Sequence, residues 1–395
     1  MDIASHNRKL FHVGKYVFAP ETLLPFRRGE TKQYNFMTID QLRDRFPSRV
    51  EVHNLDNCPE QGRPRDGQAE GKAQASYRVD RPRSFVATID GGWCHGRNCD
   101  WVGLENHYLQ ELRYIAGRLR AKDFSHGYLD PRFLRRLLTT PRRLPRPTHL
   151  RGTVVVLNKV ASHNYFHWLS EVLPRIELVK RAGLLSADAY IVDCHKPFQL
   201  QSLELLGIPL QKIIQPHEGL LVQAERLIVP SFYSADSRRR LGQLIRSAIG
   251  LQDSGNPEFN HGKIYISRRH SKNRVLQNDT EVSRYLDAHD FETHHLEQYS
   301  LIKQIRLLHQ TGTVVGLHGA GLTNVLFSPA SAGVLEIRPE RCNRTCFSEL
   351  ADDLGHRHEI VSAKQPKRRG PIHCSLSDLE DALERINRQP VRKAA

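Results

Sequence analysis

No stretch of this chain approaches the roughly 20 consecutive apolar residues that a membrane-spanning helix needs. The mean hydropathy of −0.52 agrees. The first residues, M-D-I-A-S-H-N-R-K-L-F-H-V-G-K-Y, contain no apolar block of the kind that directs export, so the expected location is the cytosol. No pair of cysteines has C-x-x-C spacing. The seven present (Cys58, Cys94, Cys99, Cys194, Cys342, Cys346 and Cys374) are scattered. The Cys94/Cys99 and Cys342/Cys346 pairs are the ones close enough to bridge or ligate, but a chain without an export signal is expected to keep its thiols reduced. Also absent are D-x-D, H-E-x-x-H and the Walker loop G-x-x-x-x-G-K-[ST]. This removes the common sequence signatures of metal-assisted phosphate chemistry, zinc hydrolysis and P-loop nucleotide hydrolysis. Zinc-finger spacing and aromatic-glycine RNA-binding signatures are missing as well. Nucleic-acid binding therefore rests on charge alone, and no specific nucleic acid is expected as a partner.

That charge is large. The 395 residues carry a formal net charge of +15, with a pI of about 9.6, which attracts polyanions, anionic lipid or phosphorylated small molecules. Residues 131–151 hold seven arginines and four prolines in 21 positions. The prolines forbid a continuous helix, so the segment reads as an extended connector, either solvated or resting on an anionic membrane surface.

The length predicts more than one domain. Residues 1–150 form a mixed region: a polar loop or insertion at 56–78, a β-rich piece at 84–93 with a D-G-G turn signal, a helix at 106–119, then the basic connector. Beyond it, strand and helix alternate. Strands are expected at 153–157, 189–193 and 226–230, with a helix from about Asn164. After a hinge at 254–262, strands are expected at 263–268, 291–296, 313–318 and 334–338, with helices near 279–289, 300–310 and from 321. The spacing of βα units predicts a mostly parallel sheet. The expected organisation is a first Rossmann-like domain over 151–253, a second over 254–370, and a C-terminal helix and tail over 371–395. S-D-L-E at 377–380 would cap that helix. Two such halves face a cleft, and ligands of open α/β sheets lie at the carboxyl ends of the strands.

Four stretches at such ends carry the candidate chemistry. In G316-L-H-G-A-G-L-T-N, the small residues Gly319, Ala320 and Gly321 let a ligand approach the backbone. The following helix offers amides to phosphate, and His318 either joins them or is a hydrogen-bonded strand-end histidine. The spacing is not that of the dinucleotide fingerprint G-x-G-x-x-G, which disfavours a Rossmann dehydrogenase. In Y265-I-S-R-R-H-S-K-N-R, Ser267, Arg268, Arg269, Lys272 and Arg274 gather a hydroxyl and cations, and arginine can grip a diphosphate bidentately. Glu336 in V-L-E-I-R either accepts ribose hydroxyls or pairs with Arg338. In S162-H-N-Y-F-H-W-L-S-E-V-L-P-R, a helical wheel puts Tyr165, Trp168, Leu169, Val172, Ile176 and Val179 on one face. His163, His167, Ser170 and Glu171 fall on the other. His167 and Glu171 are i,i+4 neighbours, either a surface pair or a base with its orienting partner. Pro174 is expected to kink or end the first part of this helix.

Taken together, N164-Y-F-H-W-L-S-E-V-L-P-R, S267-R-R-H-S-K-N-R-V-L-Q-N-D, H318-G-A-G-L-T-N-V-L-F-S-P and V334-L-E-I resemble glycosyltransferase family 61 in both motifs and order. The resemblance spans about residues 150–340. It implies a GT-B-like fold and inverting transfer from a nucleotide-diphosphate sugar, UDP-linked by expectation, with no metal or other cofactor. Residue by residue it implies Glu171 as base, oriented by or alternating with His167, and His163 and Asn164 on the acceptor side of the cleft. It places Ser267, Arg268, Arg274, His318, Gly319, Ala320, Gly321, Leu322, Asn324 and Glu336 around the donor. Without an export signal the chain looks more like the bacterial members associated with capsular or exopolysaccharide synthesis. These would act on a glycan or lipid-linked glycan at the inner membrane face. A non-catalytic nucleotide-sugar or glycan-binding module, and a basic nucleic-acid-binding protein, are the rival readings.

Overall fold

A computed structural model describes residues 11–13, 16–18, 35–55, 84–99, 101–109, 145–252, 262–271, 273–367 and 370–389. The expected loop at 56–78 and most of the hinge at 254–262 fall outside these residues, as does 131–144 of the basic connector. Among the described residues no helix is long and apolar enough to cross a membrane.

The chain opens with the hairpin β1 (Phe11–Val13) and β2 (Tyr16–Phe18). Next come β3 (Asn35–Met37), helix α1 (Ile39–Arg45), β4 (Val50–Asn54), β5 (Phe85–Asp90), β6 (Trp93–His95), β7 (Trp101–Leu104) and β8 (His107–Leu109). The D-G-G signal is not a hairpin turn: β5 and β6 both pair antiparallel with one long later strand, and Gly91 (φ 71°) makes the jog between them. The helix expected over 106–119 does not begin at Asn106 among the described residues. Residues 107–109 are strand β8, returned against β7 by a two-residue turn with Glu105 at φ 54°. Residues 110–119 lie outside the described residues.

The long strand β9 (Thr148–Val156) is followed by a helix that starts at Tyr165–His167, widens to a π-helical turn over Trp168–Val172 and continues over Leu173–Arg181. This helix is α2. After it come β10 (Ala189–Ile191), α3 (Pro197–Leu205), β11 (Ile213–Ile214), β12 (Leu221–Pro230) and α4 (Ala235–Ala248). Strands β11-β10-β9-β12 are parallel, and β5 and β6 continue the sheet antiparallel from β12. The boundary expected at 150 therefore does not separate two sheets, because the strands of 35–109 and 148–230 share one.

The second sheet is wholly parallel, in the order β14-β13-β15-β16-β17. Its strands and helices are β13 (Gly262–Ile266), α5 (Asp279–Asp287), β14 (Phe291–His294), α6 (Leu301–His309), β15 (Thr311–Leu317), a 3-10 helix (Ala320–Phe327), β16 (Gly333–Pro339), α7 (Cys346–Leu354), β17 (Arg357–Ala363) and α8 (Leu376–Arg388). Helix α8 starts earlier than S-D-L-E suggested, because Ser375 rather than Ser377 accepts from the Asp378 amide. It packs on β17 and β16, so it completes the second half rather than forming a separate tail.

Both sheets are covered on both faces, as parallel strands require. Val154 and Val156 of β9 enter an outer core with Ile39, Leu42 and Val50, while Val155 turns inward. Ile264, Val314 and Val334 of the second sheet enter that same inward core, and Tyr265, Val315 and Leu335 face an outer one under α8. One central core thus belongs to both halves.

Polar contacts fix how the halves meet. Pro174 has no N–H for the carbonyl four residues back, that of Ser170, and Arg238 Nε of α4 donates to it at 2.9 Å. The same guanidinium pairs with Asp353 of α7 at 2.5 Å, both side chains buried. Gly242 sits where a Cβ would lie 2.5 Å from the Leu326 carbonyl oxygen, so α4 and the 3-10 helix touch backbone to backbone. Removing one member of a buried pair strands the other, at about 3–5 kcal/mol. Arg238→Met is therefore expected to lower unfolding stability by that order, and Arg238→Met/Asp353→Leu to recover most of it. Equal urea midpoints for the single and double variants would contradict the account.

Candidate active site

Within each run of parallel strands the order reverses at one point, and the loops leaving the strands there form a crevice. In the first sheet the point lies between β9 and β12. Arg175 of α2 is fully buried and donates to the carbonyls of Val156, Leu157, Asn158 and Pro230, tying the two strand ends together. Burial pushes its pKa down to about 10. The tie fixes two loops, one bearing Lys159 and the other Phe232 and Tyr233.

Glu171 projects from the π-helical turn into this crevice. Its Oε2 accepts from His167 Nδ1 at 2.8 Å and forms an ion pair with the buried Lys159 ammonium, and the Tyr233 hydroxyl is 3.4 Å from Oε1. Burial works to raise the Glu171 pKa, but Lys159 and His167 outweigh it and hold the carboxyl well below its usual range. Glu171 is 2% exposed, whereas His167 is 23% exposed. The structure therefore decides one open alternative and changes one expectation. The His167–Glu171 pair is not a surface pair, and Glu171 is an encased, weakly basic carboxylate that receives the Nδ1 proton of His167. The imidazole is the member that can be reached. Ser170, expected on the polar face, is buried and donates to the Phe166 carbonyl at 2.6 Å. Trp168 and Leu169 are in the core as expected. Pro174 is accommodated within a continuing helix, with the π turn directly before it.

Asn164 caps α2 through the Phe166 amide at 2.9 Å, so its side chain serves the helix. His163 is exposed beside it, its carbonyl accepting from Lys196 at 2.7 Å.

In the second sheet the reversal lies between β13 and β15, the strands that lead to Arg268 and Gly319. Arg268 donates to the carbonyls of Arg274 and Asn273, at 3.1 and 2.8 Å. Its guanidinium lies directly on Gly319, where a Cβ would come within 2.2 Å of it. Burial and the neighbouring Arg274 both lower the Arg268 pKa. Arg274 is exposed and held at φ 56°, a left-handed conformation unusual for a non-glycine residue. One guanidinium, that of Arg268, thus lies on the glycine turn, with Arg274 on the loop that holds it.

Four other donor-side expectations change. Ser267 is buried and donates to Asp279, which also takes Tyr265 and Arg269, so Ser267 fixes the strand end. Asn324 is buried, accepting from Tyr165 at 2.7 Å and donating to Gln304 at 2.9 Å, which makes it a clasp between the halves. Leu322 is a core residue. Glu336 is fully buried with both oxygens engaged: Oε1 takes His318 Nδ1 and Arg338 Nε, and Oε2 takes Arg338 Nη2 and His358 Nε2. It orients its neighbours and has no exposed oxygen for a ribose.

His318 is buried as well, its ring edge-on to Phe347 at 5.0 Å. Burial lowers the His318 pKa, but hydrogen bonds to Cys342 and Glu336 outweigh this and raise it. Phe347 in turn meets Phe166 at 5.4 Å, and Phe166 meets His167 at 5.3 Å. A ladder of rings therefore joins the histidines of the two halves.

Sequence reading missed Lys159, Tyr233, Arg175, Arg338 as part of a larger cluster, and Phe347. The cysteines other than Cys58, which lies outside the described residues, are all free thiols, so neither close pair is bridged. Among the described residues no group of three or more His, Cys, Asp or Glu side chains is arranged to hold a metal ion.

Residues 165–335 match the family model described as Glycosyltransferase 61. Over this stretch the chain is similar to glycosyltransferase family 61. The match contains the His167–Glu171 pair, the Arg268 loop and the Gly319 turn. Among curated relatives, the chain is 22% identical over 327 residues to Protein O-linked-mannose beta-1,4-N-acetylglucosaminyltransferase 2 of Homo sapiens, covering 68% of this chain and 56% of the human protein. The same protein of Bos taurus is 22% identical over 233 residues, covering 51% and 40%. EGF domain-specific O-linked N-acetylglucosamine transferase of Drosophila melanogaster is 33% identical over 98 residues, covering 24% and 18%. The chain spans about half the length of the O-linked-mannose relatives it matches. The family match and these names support a glycosyltransferase.

The Glu336 cluster makes a pH prediction. Folding lowers the Glu336 pKa below 4.5, so its contribution is complete above about 4.5 and lost as pH falls through the folded value. Folding raises the His318 pKa above 6.5, so its contribution is present below about 6.5 and fades as pH rises through the folded value. Glu336→Gln is expected to lower stability at neutral pH by roughly 3–5 kcal/mol and to lose less stability than wild type between about pH 5 and pH 3. Parallel acid dependences in urea titrations would contradict this.

Proposed function

We propose that this chain is an inverting glycosyltransferase that moves a sugar from a nucleotide diphosphate to a hydroxyl acceptor. In this reading its two halves work as a GT-B pair. The observation that carries it is the placement of a histidine–carboxylate pair and an arginine–glycine turn at the two strand-order reversals, joined by one aromatic ladder.

The acceptor hydroxyl donates to His167 Nε2 while Glu171 holds Nδ1–H, so the ring presents its lone pair to the substrate. The hydroxyl oxygen attacks the anomeric carbon from the face opposite the diphosphate. The bond from that carbon to the leaving oxygen breaks, and the hydroxyl proton ends on His167. Negative charge builds on the departing diphosphate, and Arg268, Arg274 and the first amides of the 3-10 helix meet it there. His318, tied to Glu336 through Nδ1, backs the turn. This reading places arginines and helix amides, rather than a metal ion, against the diphosphate.

The relatives' names make an N-acetylglucosaminyl donor, UDP-linked, the first to test. A glycan or lipid-linked glycan, as in capsular or exopolysaccharide synthesis, is the acceptor class. Docking at the inner membrane face through the arginines of 131–151 belongs to the same reading, and absence of binding to anionic liposomes at low salt would remove it.

Thermal shift with UDP, GDP and their sugar conjugates, in EDTA, tests the donor half. One diphosphate is expected to stabilise the wild type and not Arg268→Ala. His167→Ala is expected to keep that shift while losing about 10²–10⁴-fold in transfer rate. Transfer within a few-fold of wild type would remove His167 as base. Donor binding by wild type without product from any hydroxyl acceptor would favour a binding module.

A further inference from the structure

We infer that Lys159 is a positioning residue of the transfer reaction, cancelling the charge of Glu171 so that His167 stays a neutral base. The inference rests on the glycosyltransferase reading above.

Lys159 lies on the loop leaving β9 and is 7% exposed. Its ammonium pairs with the same Glu171 oxygen that accepts from His167 Nδ1. It is boxed by Phe232 and Tyr233, with ring centres 5.5 and 5.7 Å away. The loop is held from behind, where Arg175 donates to the Asn158 carbonyl at 2.6 Å and Asn158 Nδ2 to the Arg97 carbonyl at 2.6 Å. The charge is thus buried, aimed and fixed.

A carboxylate beside an imidazole does two things. It accepts the Nδ1 proton, which orients the ring and leaves the lone pair on Nε2. Its negative charge also favours the imidazolium, and an imidazolium cannot take a proton from an acceptor hydroxyl. The second effect grows as water is excluded, and here the carboxylate is 2% exposed. Lys159 separates the two effects. With its positive charge on Glu171 the pair is neutral as seen from His167, while the hydrogen bond to Nδ1 survives. As a stability device alone the pair has little to recommend it, since buried ion pairs often gain nothing over apolar groups of the same volume.

Among the described residues, the other groups seen to face this pair do not supply that charge. Tyr233, on the loop after β12, is a neutral hydroxyl near Oε1. Arg238, from α4, donates to the Ser170 carbonyl and is balanced by Asp353 from α7. His318 lies beyond Phe166 and Phe347 and is paired with Glu336.

The test is the titration of the His167 ring in the full chain, followed by NMR with labelled histidine and assigned against His167→Gln. It is run on wild type, Lys159→Met, Lys159→Arg and Glu171→Gln. Lys159→Met is expected to move the midpoint up by roughly one pH unit or more, and the acidic limb of kcat/KM should move with it. Lys159→Arg is expected to restore both. Glu171→Gln leaves the ammonium facing the ring and is expected to move the midpoint down. An unmoved midpoint in folded Lys159→Met would overturn the inference. Should that variant not fold, an unmoved or raised midpoint in Glu171→Gln would do so. The titration needs no turnover, so failure of the transferase reading shows separately, as absence of transfer by the wild type.

Discussion

The guanidinium of Arg238 is the contact on which most of this structure turns. It fills the carbonyl that Pro174 leaves without a helical donor, it holds Asp353 of the other half, and it lies 4.0 Å from the centre of the Tyr233 ring. A local defect in one helix, the join between two sheets and the wall of the candidate site are therefore one arrangement. The π-helical turn just before Pro174 is part of it, because the extra residue per turn changes which side chains face inward. Glu171 sits in that turn. In an unbroken α-helix the wheel would leave it on the open face with His163. Here it is buried against Lys159.

The halves share more than a contact. Their inward faces contribute to one apolar core, and Tyr165, Asn324 and Gln304 form a buried clasp across it. Two strand-order reversals that might have been independent ligand sites are thereby linked through the clasp and the ring ladder. A transfer reaction needs this, because its donor and acceptor must meet in a fixed geometry, which accounts for a large part of the rate such sites achieve.

Much of the second half was legible in the sequence. K-I-Y-I, T-V-V-G-L and V-L-E-I-R are apolar runs of strand length bounded by turn residues, and parallel strands buried on both faces leave that trace. The first half was harder to read. Strand β8 reads as helix in sequence because its turn, Glu105–Asn106, lacks the glycine that usually announces a two-residue hairpin. The strands of 35–109 join the first sheet by pairing with β12, over a hundred residues further on, and periodicity does not encode a partner at that distance. The candidate site divides in the same way. His167 with Glu171 and Arg268 with the Gly319 turn are local patterns and were visible. Ser267, Asn324 and Glu336 read as polar residues at strand or helix ends, but their partners decide their roles, and those partners are Asp279, Tyr165 and the cluster of His318, Arg338 and His358.

Lys159 shows the limit most clearly. L-N-K-V is an ordinary loop in sequence, and lysines in loops are usually solvated. What makes this one different is Arg175, which pulls the ends of β9 and β12 together and turns the loop inward. A buried lysine bound to a carboxylate, itself bound to the half-buried histidine, is a three-body arrangement. Its chemistry depends on charge balance rather than on any one residue. Removing the lysine and removing the carboxylate should therefore drive the same imidazole in opposite directions, a signature that loss of packing does not produce.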